Sequence, residues 1–151
     1  MGLFDGYDVS SSGMGAQRTR INVVSANIAN AQTTHTEDGG PYKKQKVIFE
    51  ELLTNTNNKQ NENNGLSSSE KELALKGVGV RSVQDAQAEP IMKFEPEHPD
   101  ANKDGYVAYP NINPVIEMVD IIEAMRSYEA NVTSFSNLKT IDTKTLDILK
   151  G

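Results

Sequence analysis

The residues best suited to chemistry are six consecutive ones, Asp100-Ala101-Asn102-Lys103-Asp104-Gly105. Oxygen-bearing side chains at the first, third and fifth positions, followed by glycine, match the first half of an EF-hand calcium loop. The twelfth position is Asn111, which cannot supply the bidentate carboxylate, and Pro110 stands where the exiting helix would begin. The pattern therefore favours a polar turn before a short strand, Tyr106–Tyr109, and leaves a calcium-responsive binding module as an alternative.

No other set of side chains has the spacing of a catalytic or metal site. The two histidines, His35 and His98, lie in polar, turn-like sequence without further ligands at zinc-site spacing. Gly77-Val78-Gly79 lacks the third glycine and the following helix of a phosphate-binding loop. The sequence thus predicts a protein that is not an enzyme and that uses no cofactor or metal. An enzyme of an unrecognised type is the alternative.

Composition limits the class of protein further. The 151 residues are 36% hydrophobic, carry a net charge of −6 and include no cysteine. An acidic chain lacks the basic face that nucleic acids require. No apolar run is long enough to span a bilayer, and the first residues lack the basic and apolar regions of a cleavable secretory signal. We expect a small core whose burial is completed by partner molecules.

Hydrophobic periodicity divides the chain into three parts. Residues 1–31 are predicted as an N-terminal assembly helix, in which apolar residues follow a spacing of three and four residues. Gly13 and Gly15 weaken the first half of this helix, because glycine costs about 1 kcal/mol against alanine. Residues 32–112 are predicted as a β-rich middle domain containing an Asn-rich loop at 54–70. The strand candidates are residues 42–50, 78–83, 91–94 and 106–109.

Residues 113–151 are predicted as a C-terminal assembly helix. Asn113 is suited to the N-cap and Pro114 to the first helical position. Six apolar residues then repeat at intervals of three and four: Met118, Ile121, Met125, Tyr128, Val132 and Phe135. A helix from residue 114 to 150 would be about 55 Å long, more than a domain of this size can bury. The predicted fold class is α+β, with long terminal helices paired as a coiled coil and a small β-rich middle domain.

Two interpretations of the apolar stripes remain at this point. They describe either an ordinary helical hairpin on a small core or an assembly surface that continues from copy to copy. Contacts between different surfaces of identical chains build tubes or filaments when they do not close into a ring. The mismatch between a long helix and a small β region favours assembly.

Two short segments resemble the signatures of the bacterial flagellar axial proteins, which form the rod, hook and hook-associated parts. Ser25-Ala26-Asn27-Ile28-Ala29-Asn30-Ala31 is similar to the N-terminal signature, and Arg126-Ser127-Tyr128-Glu129-Ala130-Asn131 to the C-terminal one. The long spacer from Thr33 to Tyr42 is similar to proximal-rod members rather than to hook or distal-rod members. The resemblance covers nearly the whole chain, except the Asn-rich tract at 55–64. Another axial protein of the organelle is the nearest alternative.

The resemblance implies a structural subunit of the periplasmic proximal rod, exported unfolded by the flagellar type III apparatus without a cleavable signal. Its implied partners are further copies of itself, other proximal and distal rod proteins, the rod-base adaptor, the inner-membrane ring and the export apparatus. It further implies that Asn27 and Asn30 use their amides in hydrogen bonds and that Arg126 bonds a carboxylate or carbonyl. The expected assembly interface consists of Met14, Ile21, Val24, Asn27, Ile28, Asn30, Met118, Ile121, Met125, Arg126, Tyr128, Asn131, Val132 and Phe135.

Overall fold

The computed structural model describes residues 5–55, 73–84 and 89–150. The elements follow in the order α1 (Asp5–Ala29), β1 (Gln45–Asn55), β2 (Leu73–Gln84), β3 (Ile91–Phe94), β4 (Tyr106–Tyr109) and α2 (Pro114–Lys150). Each helix lies near one end of the chain, and the strands form two antiparallel pairs between them. The predicted α+β class, with two terminal helices and a small middle of short strands, is confirmed.

The two helices run antiparallel and pack along the length of α1. Near the start of α1, the ring of Tyr7 lies edge-on to Phe135, with 5.0 Å between ring centroids. Further along, Arg20 contacts Asp120, and near the end of α1 the Asn27 side chain reaches Glu117. At 37 residues against 25, α2 is the longer helix by about 18 Å at a rise of about 1.5 Å per residue.

The start of α2 is determined locally. The Asn113 side-chain oxygen accepts a hydrogen bond of 3.0 Å from the Val115 N–H, which would otherwise lack a partner in the first turn. Glu117 then donates its N–H to the Asn113 carbonyl and closes the first helical turn. The predicted N-cap and helix start are confirmed.

The long hairpin of β1 and β2 extends further than its hydrophobic pattern indicates. Pairing runs from Gln45↔Gln84 to Asn55↔Leu73, with a register shift between Leu52 and Leu53. The strand β1 therefore includes Thr54 and Asn55, two residues that the sequence places in the Asn-rich loop. Backbone hydrogen bonds between strands continue past the last apolar side chain, since they depend on the main chain. The rest of the Asn-rich tract lies outside the described residues.

The short hairpin of β3 and β4 contains the segment that resembles a calcium loop. The Asn102 side-chain oxygen accepts hydrogen bonds from the backbone N–H groups of Asp104 and Tyr106, each 2.9 Å long. The oxygen at the third position of the calcium pattern is thus engaged by the backbone. Thr34 donates a hydrogen bond to the Asp100 carboxylate, which ties this turn to the segment after α1. The favoured prediction of a polar turn leading into Tyr106–Tyr109 is confirmed.

The apolar core is small. Among the described residues only five hydrophobic side chains are buried: Ala16, Val24, Val107, Ile112 and Ala124. The described part of the fold thus buries few apolar side chains within itself.

Candidate functional site

A buried polar cluster joins α1, the start of β1 and the first turns of α2. Its centre is Asn27, whose side chain has no exposed surface. The Asn27 amide nitrogen donates to the Gln45 carbonyl (2.9 Å), and its oxygen accepts from the Gln45 N–H (3.0 Å). The side-chain amide therefore pairs with the backbone of β1 in the way that a neighbouring strand would.

The same amide group bridges to α2 through Glu117. Asn27 Nδ2 donates to Glu117 Oε2 over 3.0 Å, and Lys44 Nζ contacts Glu117 Oε1 at 2.5 Å. The Glu117 side chain is 1% exposed and that of Lys44 is 22% exposed. A carboxylate at this depth is tolerated only because a cation and a hydrogen-bond donor replace the water it has lost.

Tyr42 completes the cluster. Its hydroxyl donates to Asn27 Oδ1 over 3.2 Å, so that this oxygen accepts two hydrogen bonds. Burial, followed by the nearby Glu117 carboxylate, raises the pKa of Tyr42 above its ordinary value, because both disfavour the phenolate. The polar atoms of Asn27 are all paired, which makes the cluster a joint that fixes how the helices and the hairpin meet.

Sequence reasoning identified Asn27 as a hydrogen-bonding residue but missed its partners Tyr42, Gln45 and Glu117. It also missed Lys44, which pairs with Glu117. One signal was present: Glu117 is a single acidic residue within an apolar run, Val115-Ile116-Glu117-Met118-Val119. A charge at such a position needs a partner when the helix packs. The partner itself is 73 residues away in Lys44, and no local pattern connects the two.

The side of α2 that faces α1 agrees only partly with the predicted apolar stripe. At every second position of the stripe, the residue just before the predicted one faces α1 instead. Glu117 and Ala124 are buried, and Ile121 and Phe135 are half-buried. Met118, Met125 and Val132 remain 53%, 49% and 42% exposed. Glu117 faces α1 because it bonds to the other members of the buried cluster. Ala124 faces α1 because its small side chain lets the two helices approach closely. These three residues thus do not form the buried side of α2, and their role in assembly stays a prediction.

The remaining expected interface residues have the following places. On α1, Val24 is buried, whereas Met14, Ile21 and Ile28 are half-buried. Asn30 donates its amide to the Ala26 carbonyl over 2.9 Å and accepts from the Thr33 hydroxyl, which closes the end of α1. On α2, the Asn131 amide lies over Gly13, and Tyr128 is 36% exposed.

Arg126 does not make its expected bond within the chain. It is exposed, and its guanidinium has no carboxylate or carbonyl partner among the described residues. Arg20 is the arginine that joins the helices, with Asp120 at 3.1 Å and Glu123 at 3.6 Å. The bond implied for Arg126 remains a prediction about neighbouring chains.

The outward surface of α2 is apolar over its first half. We call the outward ridge the large exposed apolar residues on the face of α2 opposite the buried Glu117 and Ala124: Val115, Met118, Val119, Ile122 and Met125. Ile116, also exposed, lies to one side of this face. Lone exposed apolar side chains are ordinary, but a contiguous set on one rigid helix indicates a surface that another molecule covers.

In the described part of the chain, no three histidine, aspartate or glutamate side chains cluster in a way that suits a metal ion. None of the described helices has the length and hydropathy needed to span a membrane. The arrangement described above is one of contact surfaces and a structural joint.

Comparison with known proteins agrees with this arrangement. Residues 8–34 match the family model for flagella basal body rod proteins. Residues 103–148 match the model for the C-terminal region of the flagellar basal body rod FlgEFG proteins. The two matches fall mainly on α1 and α2. The paired terminal helices therefore place the chain in the class of flagellar rod proteins.

Full-length relatives narrow the class to one protein family. The chain is 41% identical to the flagellar basal-body rod protein FlgC of Borreliella burgdorferi, with both chains covered completely. It is 35% identical to FlgC of Bacillus subtilis, over 99% of this chain and all of that one. The identity to FlgC of Salmonella typhimurium is 34% over 98% of each chain. The chain belongs to the FlgC family of flagellar basal-body rod proteins, which are structural components of the basal body.

Proposed function

We propose that the protein is a subunit of the proximal part of the flagellar rod, where copies assemble helically through α1 and α2. In this arrangement the assembled helices enclose the export channel, and the rod acts as the periplasmic drive shaft that transmits motor torque. The protein acts by contact alone and carries out no catalysis.

The observation that supports this proposal most strongly is the outward ridge of α2. The ridge places five large apolar side chains on one exposed face of α2, whereas the described part of the chain buries only five hydrophobic residues. Burying apolar surface stabilises association by about 25 cal/mol per Å². A contact that covers the ridge on one copy with a different surface of the next continues into a rod when the rotation between copies does not close a ring.

The proposed interface also includes the residues that the sequence indicated. Val132 lies further along α2 and is 42% exposed, and Ile28 lies near the end of α1 beside the buried cluster. Arg126 is exposed on α2 and is available to bond a carboxylate of a neighbouring chain. Asn27, in contrast, acts within the chain, where it holds the helices in the orientation that presents these surfaces.

The proposed partners follow from the position in the basal body. They are further copies of this chain, other proximal and distal rod proteins, the rod-base adaptor at the inner-membrane ring, and the type III export apparatus. The chain is exported unfolded through the growing rod.

Two substitutions test the assembly role. Val132→Asp and Ile28→Asp each place a carboxylate where an apolar side chain is buried on assembly. Because an uncompensated buried charge costs several kcal/mol, we expect loss of swimming and of rod completion, with export of the protein unchanged. Soft-agar motility, electron microscopy of basal bodies and the amount of exported protein measure the three outcomes.

Ser134→Asp is the matched control, since Ser134 is exposed and lies two positions from Val132, on a different side of the helix. This variant should swim normally. Normal swimming of both Val132→Asp and Ile28→Asp would contradict the proposal that these surfaces assemble the rod.

A further inference from the structure

The long hairpin contacts α1 at a second place, far from the buried cluster. The Val78 N–H donates a hydrogen bond to the Ser12 hydroxyl oxygen over 3.1 Å. The Ser12 hydroxyl in turn donates to the Val9 carbonyl over 2.9 Å. Ser12 thus accepts from β2 and donates to its own helix, which uses its single proton and one of its lone pairs.

Gly77, the residue before Val78, makes this close approach possible. Gly77 is buried, has a φ of 145° and stands at the register shift opposite Leu52. A β-carbon at this position would lie 2.3 Å from the Ser12 oxygen and 3.7 Å from the Asp8 carbonyl oxygen. A bulge with glycine brings the backbone of β2 onto α1 at a distance that no other residue allows.

The part of α1 that receives this contact has a low intrinsic helix propensity, and we call it the weak half of α1. Ser10-Ser11-Ser12-Gly13-Met14-Gly15 contains three serines and two glycines, all poor helix formers. It is nevertheless helical, and α2 packs on it through Asn131 and Leu138, which lie over Gly13 and Gly6. The hairpin supplies support from β2 as well.

We propose that Ser12 and Gly77 form a latch through which the β1–β2 hairpin and the N-terminal half of α1 become ordered together. The Val78 N–H finds its acceptor only when α1 is helical, because the helix places the Ser12 hydroxyl against the Val9 carbonyl. Conversely, the weak half of α1, on which α2 already packs, gains this second anchor only when the hairpin lies along it. Asn27–Gln45 holds the base of the hairpin, and the latch holds its middle.

Amide hydrogen exchange of the full chain tests the first half of the latch. Ser12→Ala removes the acceptor for Val78 while keeping a good helix former in α1. We expect the amides of Val78 and of residues 9–13 to exchange about tenfold faster, the effect of losing one hydrogen bond. Ser11→Ala is the control, since Ser11 is exposed and its side chain makes no hydrogen bond in the described part of the chain. This variant should leave these rates unchanged or slower.

Gly77→Ala tests the other half. It should give the same pattern as Ser12→Ala, because the added β-carbon collides with the Ser12 oxygen. Gly39→Ala is the control for backbone strain alone, since Gly39 has a φ of 83° and nothing within 4 Å of an added β-carbon. Its effect should not reach residues 9–13.

The Gln45 amide, bonded to Asn27 in the same hairpin, reports whether the hairpin still folds. The latch is supported if Gln45 stays protected while Val78 and residues 9–13 lose protection together. The proposal is overturned if, in either variant, the Val78 amide loses its protection from exchange while the amides of residues 9–13 stay as protected as in the controls. Rapid exchange at Val78 of the unaltered chain, or loss of protection at Gln45 along with the rest, also overturns it.

Discussion

At the scale of single residues, the side-chain amide of Asn27 connects the signature segment of α1 to the other elements of the fold. Asn27 makes four hydrogen bonds to Gln45, Glu117 and Tyr42 and has no exposed surface. A planar carboxamide offers an acceptor and two donors, so it can pair with a strand backbone and still donate to a carboxylate. The asparagine therefore acts inside the subunit, at the point where three elements meet.

Replacing Asn27 tests this joint. Asn27→Ala leaves the Gln45 N–H and one Glu117 oxygen without their partner, and buried polar groups without partners are costly. We expect a loss of about 2–4 kcal/mol in the free energy of unfolding, measured by urea denaturation. Asn22→Ala, on the exposed side of the same helix, should change it by less than about 0.5 kcal/mol. Equal effects of the two changes would contradict the assigned role.

The cluster also predicts sensitivity to alkali. Because the pKa of Tyr42 is raised, the unfolded chain loses this phenolic proton first, so stability is full below about pH 10 and falls as the pH rises through the folded pKa. Tyr42→Phe should lower stability modestly at pH 8 and make its decline above pH 10 shallower. Urea denaturation at pH 8 and near pH 11 measures both.

At the scale of elements, the helices are held by packing more than by their own propensity. Gly13 lies under the Asn131 amide, with 3.0 Å between its nitrogen and an added β-carbon, whereas nothing lies within 4 Å of one at Gly15. The two glycines have equal intrinsic cost in a helix, so the difference between them comes from α2 alone.

The paired substitutions separate these two contributions. Gly15→Ala should raise the free energy of unfolding by about 0.5–1 kcal/mol, since it gains helix propensity without a collision. Gly13→Ala should give a smaller gain or a loss, because Asn131 must move. Urea denaturation of both variants checks this, and an equal gain from the two would show that α2 does not pack closely on Gly13.

At the scale of the whole molecule, the shape follows from a shortage of core. Five buried hydrophobic side chains in the described residues cannot enclose helices of 25 and 37 residues. Apart from α2, large apolar side chains are exposed on the long hairpin, at Ile48, Phe49 and Leu52, and on the short hairpin, at Met92 and Phe94. The proposed assembly would cover this surface.

The Asn-rich tract should be dispensable for this assembly. Six of the ten residues from Asn55 to Asn64 are asparagine, a composition that cannot pack a core. Deleting residues 56–64, which keeps Asn55 paired with Leu73, should leave rod completion and soft-agar motility unchanged. A non-swimming deletion strain that still exports the protein would assign the tract a contact with a surrounding structure.

The sequence by itself determined the features that depend on local order: the helix start at Asn113, the α+β class, the polar turn at Asn102 and the two signature segments. Each is encoded within a few residues, through capping, periodicity or turn chemistry. Only the tertiary structure decided which side of α2 faces α1 and which partners surround Asn27. Met118 and Glu117 are adjacent, and hydrophobicity favours burying the methionine. Glu117 is buried instead because Lys44 and Asn27 compensate its charge from distant parts of the chain, and such compensation exists only once the elements have come together.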